Sequence, residues 1–355
     1  MIPAPTMRFA SPLLLLAGFV SLGAALIGLA ANAHAGVAPY RKIDLNQDFF
    51  AEGATFGDLN RDGKADAIAG PFWYEGPDFT RRHELYTPPA PFDPLGYSNN
   101  FSAFVRDFNA DTWPDVLLIG FPGKDASWLE NPGAKGGAWR RHHVYEPVDN
   151  ESPTFGDLLG DGRPVLICMS LGRIGYATPD AQDPTKPWTF HPASPPGSWH
   201  HFTHGLGFGD VNADGRADLL EKDGWWEQPA SLDGNPFWKH HRFTFGSGAH
   251  IHVTDVNGDQ LPDVITSLNA HGYGLAWFEQ TRTADGAIDF RRHDILSSEA
   301  EPKINGVQFS QLHAVTLADI DGDGLDDIVT GKRWWAHGPS KDPEPNAAPV
   351  IYAFL

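Results

Sequence analysis

The run Asp319-Ile-Asp-Gly-Asp-Gly-Leu-Asp-Asp327 places Asp319, Asp321 and Asp323 at alternate positions and closes on Asp327. Side-chain oxygens at every second position can curl around one hard cation. Gly324 permits the sharp turn, and the Leu325 carbonyl fills a gap in the shell. The same frame recurs with its first acid at Asp58, Asp107, Asp157, Asp210, Asp255 and Asp319, so the intervals run from 45 to 64 residues. A repeat of this length implies stacked or radially arranged supersecondary units.

The loops are not EF-hands. Position 12 of the first copy is Ala69, where an EF-hand needs a bidentate Glu. The residues that follow are short and β-rich: Ala65-Asp-Ala-Ile-Ala-Gly70, Pro114-Asp-Val-Leu-Leu-Ile-Gly120 and Pro262-Asp-Val-Ile-Thr266. An aromatic-acidic cluster comes next, as in Phe72-Trp-Tyr-Glu75, Trp128-Leu-Glu-Asn-Pro132, Trp225-Trp-Glu-Gln-Pro229 and Ala276-Trp-Phe-Glu-Gln280. A basic stretch ends each unit: Arg81-Arg-His83, Arg140-Arg-His-His143, Lys239-His-His241 and Arg291-Arg-His293. Each repeat therefore predicts strand a, acidic loop, strand b, aromatic strand c and basic strand d. Four short strands per repeat define an all-β fold, a β-propeller of six four-stranded blades.

With Phe56-Gly57, Phe208-Gly209 and Gly70-Pro71 in phase with the loops, the repeats resemble the FG-GAP/VCBS family of calcium-loop propellers over nearly all of the mature chain. That resemblance implies structural calcium. Activity is left open, because such propellers serve adhesion, binding and catalysis alike.

Residues 1–35 are expected to be a signal peptide. Arg8 precedes an apolar run from Leu13 to Leu29, and Ala33-His34-Ala35 fits a cleavage site. The run is also long enough for an uncleaved anchor. After cleavage no membrane span is expected, and the product is exported, to the periplasm or as a secreted protein. Residues 36–355 form a single domain. Its one cysteine, Cys168, allows no internal disulfide. The chain carries 45 acidic and 26 basic residues, a net charge of −19, and the six loops alone hold as many acids as the imbalance. This excludes nucleic acid as a partner. The last repeat lacks a strand d, and Tyr-Arg-Lys-Ile-Asp-Leu at 40–45 looks like one. The N-terminal strand is thus expected to close a six-bladed ring beside a strand c at 350–355, the alternative being an incomplete seven-bladed ring.

Five loops offer a full calcium shell. The first offers Asp58, Asn60, Asp62, the Lys64 carbonyl and Asp66. The second offers Asp107, Asn109, Asp111, Trp113 and Asp115. The fourth offers Asp210, Asn212, Asp214, Arg216 and Asp218. The fifth offers Asp255, Asn257, Asp259, Leu261 and Asp263. The last offers Asp319, Asp321, Asp323, Leu325 and Asp327. In the third, Leu159 and Val165 replace two ligands, so Asp157 and Asp161 are expected to form a turn without metal.

Sixteen histidines remain to be placed. Those of strand d, such as His83 and His241, need only packing roles. His204 and His313 each sit six residues before a loop, at the position held by Glu52, Phe101 and Glu151 in other repeats. His250 and His252 precede the fifth loop, while His271, Lys332, Arg333 and His337 follow strands b. All of these map to the face opposite the loops. His204, His250, His252, His271 and His313 form the candidate catalytic set, able to hold zinc or another divalent metal or to act as acid and base. Trp225, Tyr273, Lys332, Arg333 and His337 form the candidate ligand-binding set, with aromatic rings suited to sugars. Gln311-Leu-His-Ala-Val-Thr-Leu-Ala-Asp-Ile-Asp-Gly-Asp-Gly324 and Ala270-His-Gly-Tyr-Gly274 resemble segments of the aldos-2-ulose dehydratase propeller, a likeness that implies zinc and keto-sugar chemistry. The leading expectation is a carbohydrate or protein ligand at the channel mouth. The alternatives are a metal-assisted sugar lyase or dehydratase and a non-catalytic adhesion or scaffold module.

Overall fold

Every acidic loop joins two antiparallel strands in the computed structural model, which describes residues 40–355. The expected signal peptide lies outside the described residues. The first meander comprises β1 (Ala54–Gly57), β2 (Asp66–Ala69), β3 (Phe72–Tyr74) and β4 (Arg82–Glu84). The second comprises β5 (Ser102–Arg106), β6 (Asp115–Ile119), β7 (Lys124–Glu130) and β8 (Arg140–Val148). The third comprises β9 (Thr154–Gly156), β10 (Val165–Ser170), β11 (Arg173–Thr178) and β12 (Thr189–Pro192). The fourth comprises β13 (Leu206–Gly209), β14 (Asp218–Glu221), β15 (Gly224–Glu227) and β16 (Lys239–Arg242). The fifth comprises β17 (His250–Thr254), β18 (Asp263–Ser267), β19 (Leu275–Arg282) and β20 (Ile288–Leu296). The last has three strands, β21 (Val315–Ala318), β22 (Asp327–Lys332) and β23 (Val350–Phe354). The fold is all-β, a propeller-like arrangement of four-stranded sheets.

Two expectations about the sheets need correction. The fourth and fifth meanders are not separate: β13 and β17 pair in parallel through Leu206↔His250 and Gly207↔Ile251, giving one eight-stranded sheet. Gly207 allows this approach, since a Cβ there would lie 1.8 Å from the Ile251 carbonyl oxygen. The second correction concerns closure. Residues 40–45 form no strand. Their charged side chains stay exposed, Lys42 pairing locally with Asp44 at 2.8 Å, and the Tyr40 hydroxyl reaches the last unit, donating to Ile320 O at 3.0 Å. The expected last strand does form: β23 pairs with β22 from Ile328↔Phe354 to Lys332↔Val350.

Strands β6, β10, β14 and β18 are buried along their whole length. Their apolar runs pack between neighbouring meanders, as Leu117 and Ile119 do against Leu166 and Cys168. The recurring aromatic and basic motifs meet as direct cross-strand partners: Trp73↔His83, Trp128↔His142, Tyr176↔His191, Trp225↔His241 and Trp277↔His293. Each pair stacks, with centroids 4.0 to 5.0 Å apart. In four of them a Glu takes the imidazole Nε2 at 2.6 to 3.1 Å: Glu75, Glu130, Glu227 and Glu279. The outer histidines are therefore packing residues, as expected.

The residue after that Glu latches adjacent units. Gln280 Nε2 donates to Val211 O of the preceding loop at 2.9 Å and to Pro262 O at 2.6 Å. Gln228 and Asn131 repeat the arrangement toward Leu158 O and Leu59 O. Gln280→Ala would strand one buried and one half-buried carbonyl and is expected to lower unfolding free energy by about 1–3 kcal/mol. Urea denaturation checks this; an unchanged midpoint would refute the latch.

Candidate functional site

The loops hold themselves through short-range hydrogen bonds. In the first, Asp58 accepts the Asp62 and Gly63 amides at 2.9 Å each, and Asp66 accepts Leu59 N and Gly76 N at 2.8 and 2.9 Å. The third loop makes the same opening bonds, Asp157 accepting Asp161 N and Gly162 N, so it forms the expected turn without the two missing donors. Closing aspartates are buried. Burial raises the carboxyls of Asp115 and Asp218 to about 7. The last loop differs. Oxygens of Asp319, Asp321 and Asp327 lie within 4.8 Å of one another, and that donor set suits a hard cation.

On the other loops, four imidazoles converge. Ring nitrogens of His204, His271 and His313 lie within 4.8 Å of one another. His271 also lies against His337, with centroids 4.3 Å apart. His204 stands just before β13, where its neighbour Thr203 bridges Asn150 and its carbonyl accepts Glu151 N at 3.1 Å. Glu151 thereby places Oε2 3.1 Å from His204 Nε2. That approach is off-line for a hydrogen bond, so His204 Nε2 is buried without a partner. His271 Nδ1 is likewise unpartnered, 3.8 Å from Asp342 Oδ1. His337 Nδ1 meets the same carboxylate at 3.1 Å.

Gln311 holds this arrangement together. It is 2% exposed, with φ of 65°. Its amide donates to Gly272 O at 2.8 Å, its Oε1 accepts Ala336 N at 2.9 Å, and its carbonyl faces His313 Nδ1 at 3.2 Å. One residue thus ties together the loops of His271, His313 and His337. A carbonyl only accepts, so His313 Nδ1 carries the proton and Nε2 keeps its lone pair. Burial, then the neighbouring histidines, lower His271 to about 4 and His313 to about 3. Both are neutral, ligand-competent imidazoles at neutral pH. Burial works to raise Glu151, and the His204 imidazole 3.1 Å away outweighs it, so its carboxyl stays below the usual range and ionised.

Other members of the candidate sets lie elsewhere. His252 Nε2 donates to Val315 O at 2.7 Å, bridging β17 and β21. His250 sits beside Leu206 in the parallel pair, two residues past His204, and joins no metal-ligating cluster among the described residues. Trp225 is core, 3% exposed against His241. Lys332 is 3% exposed and spends its ammonium on the carbonyls of Arg333, Trp334 and Pro345 at 3.2, 2.8 and 3.2 Å, bracing the loop rather than facing a ligand. Tyr273 faces Glu344, and burial raises its phenol to about 12. Arg333 does reach the mouth, pairing with Glu52 at 3.4 Å. Asp342 and Tyr97 belong to the site without having been singled out. Both sit in loops outside the repeat frame, and the long connection between β22 and β23 was the one available signal for Asp342.

Burial lowers His250 to about 4, from an ordinary value near 6.5. The unfolded chain therefore takes up this proton first as pH falls. The contribution is full above about pH 6.5 and is lost on the way down to pH 4. Relative to His250→Gln, the wild type is expected to lose about 2–3 kcal/mol between pH 7 and pH 4. Urea midpoints of both proteins across that range measure it, and parallel pH profiles would show the imidazole to be solvated.

No protein-family model matches the chain, and no curated protein matches it. The resemblance to FG-GAP/VCBS repeats therefore rests on the quoted residues. Solved structures do match. One, described as the basis of recognition of non-reducing terminal N-acetylglucosamine by an Agrocybe aegerita lectin, has 15% identity and a TM-score of 0.48, covering 84% of this chain and 79% of that one. Rhamnogalacturonan lyase YesW has 14% identity and a TM-score of 0.41, covering 79% of this chain and 55% of its own. The V. cholerae biofilm matrix protein Bap1 has 18% identity and a TM-score of 0.31, covering 68% of this chain and 36% of its own. The chain thus spans about half the lyase and about a third of Bap1.

Proposed function

We propose that this chain is an exported, calcium-stabilised propeller that binds carbohydrate at its channel mouth and acts on it as a metal-assisted lyase or dehydratase. The convergence of His204, His271 and His313 carries this reading. Three imidazoles at that spacing are a donor set for zinc or a similar divalent ion. Such an ion supplies Lewis acidity toward a carbonyl or hydroxyl oxygen. The chain's own residues do the rest. Ionised Glu151, beside His204, is placed to accept a proton. The His337–Asp342 pair is a second proton-handling group against His271. Tyr97, Phe202 and Trp334 are 40%, 45% and 48% exposed on loops of this face and offer rings to sugar faces.

These exposed rings also favour ligand binding without turnover. Metal content and turnover on a panel of keto sugars and glycans separate the two readings: binding with no metal and no turnover leaves only the binding module. The scaffold we infer is a ring of six units in chain order, closed between last and first by the Arg333–Glu52 pair and the Tyr97 hydroxyl on Ala336 O at 3.2 Å. Among the described residues no helix is long and apolar enough to cross a membrane.

A further inference from the structure

A cavity of about 680 Å³ lies between the first and second meanders, lined in part by Tyr86, Tyr97, Phe121, Lys124, Asp125 and Arg141. The volume falls in the range of about 300–1,000 Å³ typical of small-ligand sites. Its cations stand out in a chain of net charge −19. Neighbouring basic residues are neutralised, Arg140 by Glu130 and Arg81 by Glu75. Lys124 and Arg141 form no ion pair among the described residues, and Arg141 lies 5.0 Å over the Tyr86 ring. The lining carboxylate, Asp125, accepts the Ser127 hydroxyl at 2.6 Å. Asn100, 1% exposed, packs beside Tyr86.

The cavity shares its wall with the channel mouth. Tyr97 packs 5.6 Å from Phe121 and donates its hydroxyl to Ala336 O, next to His337. Ser98 N, also lining the cavity, donates to Glu52 Oε1 at 3.0 Å, the carboxylate that pairs with Arg333. Rings that offer sugar-stacking faces and two unneutralised cations, one a planar guanidinium fork, select an anionic sugar. We propose that this cavity binds an anionic oligosaccharide, extending the channel-mouth site by a subsite for a carboxylate or sulfate group. The proposal rests on the carbohydrate reading above.

Calorimetric titration of the full chain with hexagalacturonate, a sulfated galactan hexamer and cellohexaose tests it. At least one anionic probe is expected to bind tenfold or more tighter than cellohexaose at low salt, and the one that does identifies the group. The double variant Lys124→Ala/Arg141→Ala should weaken that probe at least tenfold and leave cellohexaose within threefold. Both side chains are exposed, and the milder Lys124→Gln and Arg141→Gln single variants repeat the measurement should the double variant unfold. His271→Ala, which probes the metal, should lose the metal and turnover while the anionic probe still binds tenfold or more tighter than cellohexaose, so the two readings fail separately. Equal affinity for neutral and anionic hexamers, or an unchanged affinity in the folded double variant, would overturn the subsite.

Discussion

His271→Ala is expected to release bound zinc and to cut turnover by a factor on the order of 10³, with the fold intact. The imidazole lies among three others, 4.8 Å from His204, 4.6 Å from His313 and 4.3 Å from His337, ring centre to ring centre. Losing it leaves two of the three converging donors. Several kcal/mol of transition-state stabilisation disappear with the ion, and each 1.36 kcal/mol is tenfold in rate. Stability should change little, because the ring is about one-third exposed and has no hydrogen bond to lose. His241→Ala is the matched control. It removes a histidine stacked on Trp225 and bonded to Glu227, so it should cost stability and leave the zinc content alone. A zinc-selective chelator followed by reloading and elemental analysis gives the readout. Wild-type protein that retains no transition metal, or a His271→Ala variant that retains as much, would sink the metal-centre reading.

The repeat frame located this site better than residue type did. Counting six residues back from the first acid of a loop finds His204, His313, Glu151 and Glu52, and all four reach the mouth. The count works because strand a has a fixed register against strand b, as in Gly209↔Asp218 and Ala318↔Asp327. It misleads in the fifth unit, whose histidines are out of phase. The parallel pair sets His250 level with Leu206, not with His204, so His250 and His252 lie deeper, against the next strand. Trp225 was misread for a different reason. Its place in the recurring aromatic-acidic motif marks a cross-strand stacking partner, and a residue that recurs in every unit serves the unit. Asp342 and Tyr97 were invisible because their loops have no counterpart in the frame. The N-terminal strand failed because likeness in composition does not supply a register, and residues 40–45 form no ladder with the last unit.

Stripping calcium should lower the melting temperature by about 15 °C. Two effects compete. Each loop is already braced: in the last one, Asp319 accepts Gly322 N, Asp323 N and Gly324 N, and Asp327 accepts Ile320 N. Those bonds preform the turn, and on their own they would make the metal dispensable. Against them stands the concentration of charge, with oxygens of Asp319, Asp321 and Asp327 within 4.8 Å and Asp323 in the same turn. If sites of this kind bind with Kd of about 10⁻⁴ M, 1 mM calcium contributes about 1.4 kcal/mol per site by mass action. Five sites then give about 7 kcal/mol, and at roughly 2–3 °C per kcal/mol in a domain of this size the shift exceeds 10 °C. Scanning calorimetry with EDTA, with calcium restored and with magnesium in its place measures it, and calcium alone should recover the transition. The loops also supply an internal control. Asp319→Asn should reduce the calcium-dependent part of the shift, whereas Asp157→Asn, in the loop that lacks two donors, should leave that part unchanged and cost only its two turn hydrogen bonds. A transition that stays within 2 °C in EDTA would mean that the backbone hydrogen bonds suffice and that the acidic frame is a turn motif alone.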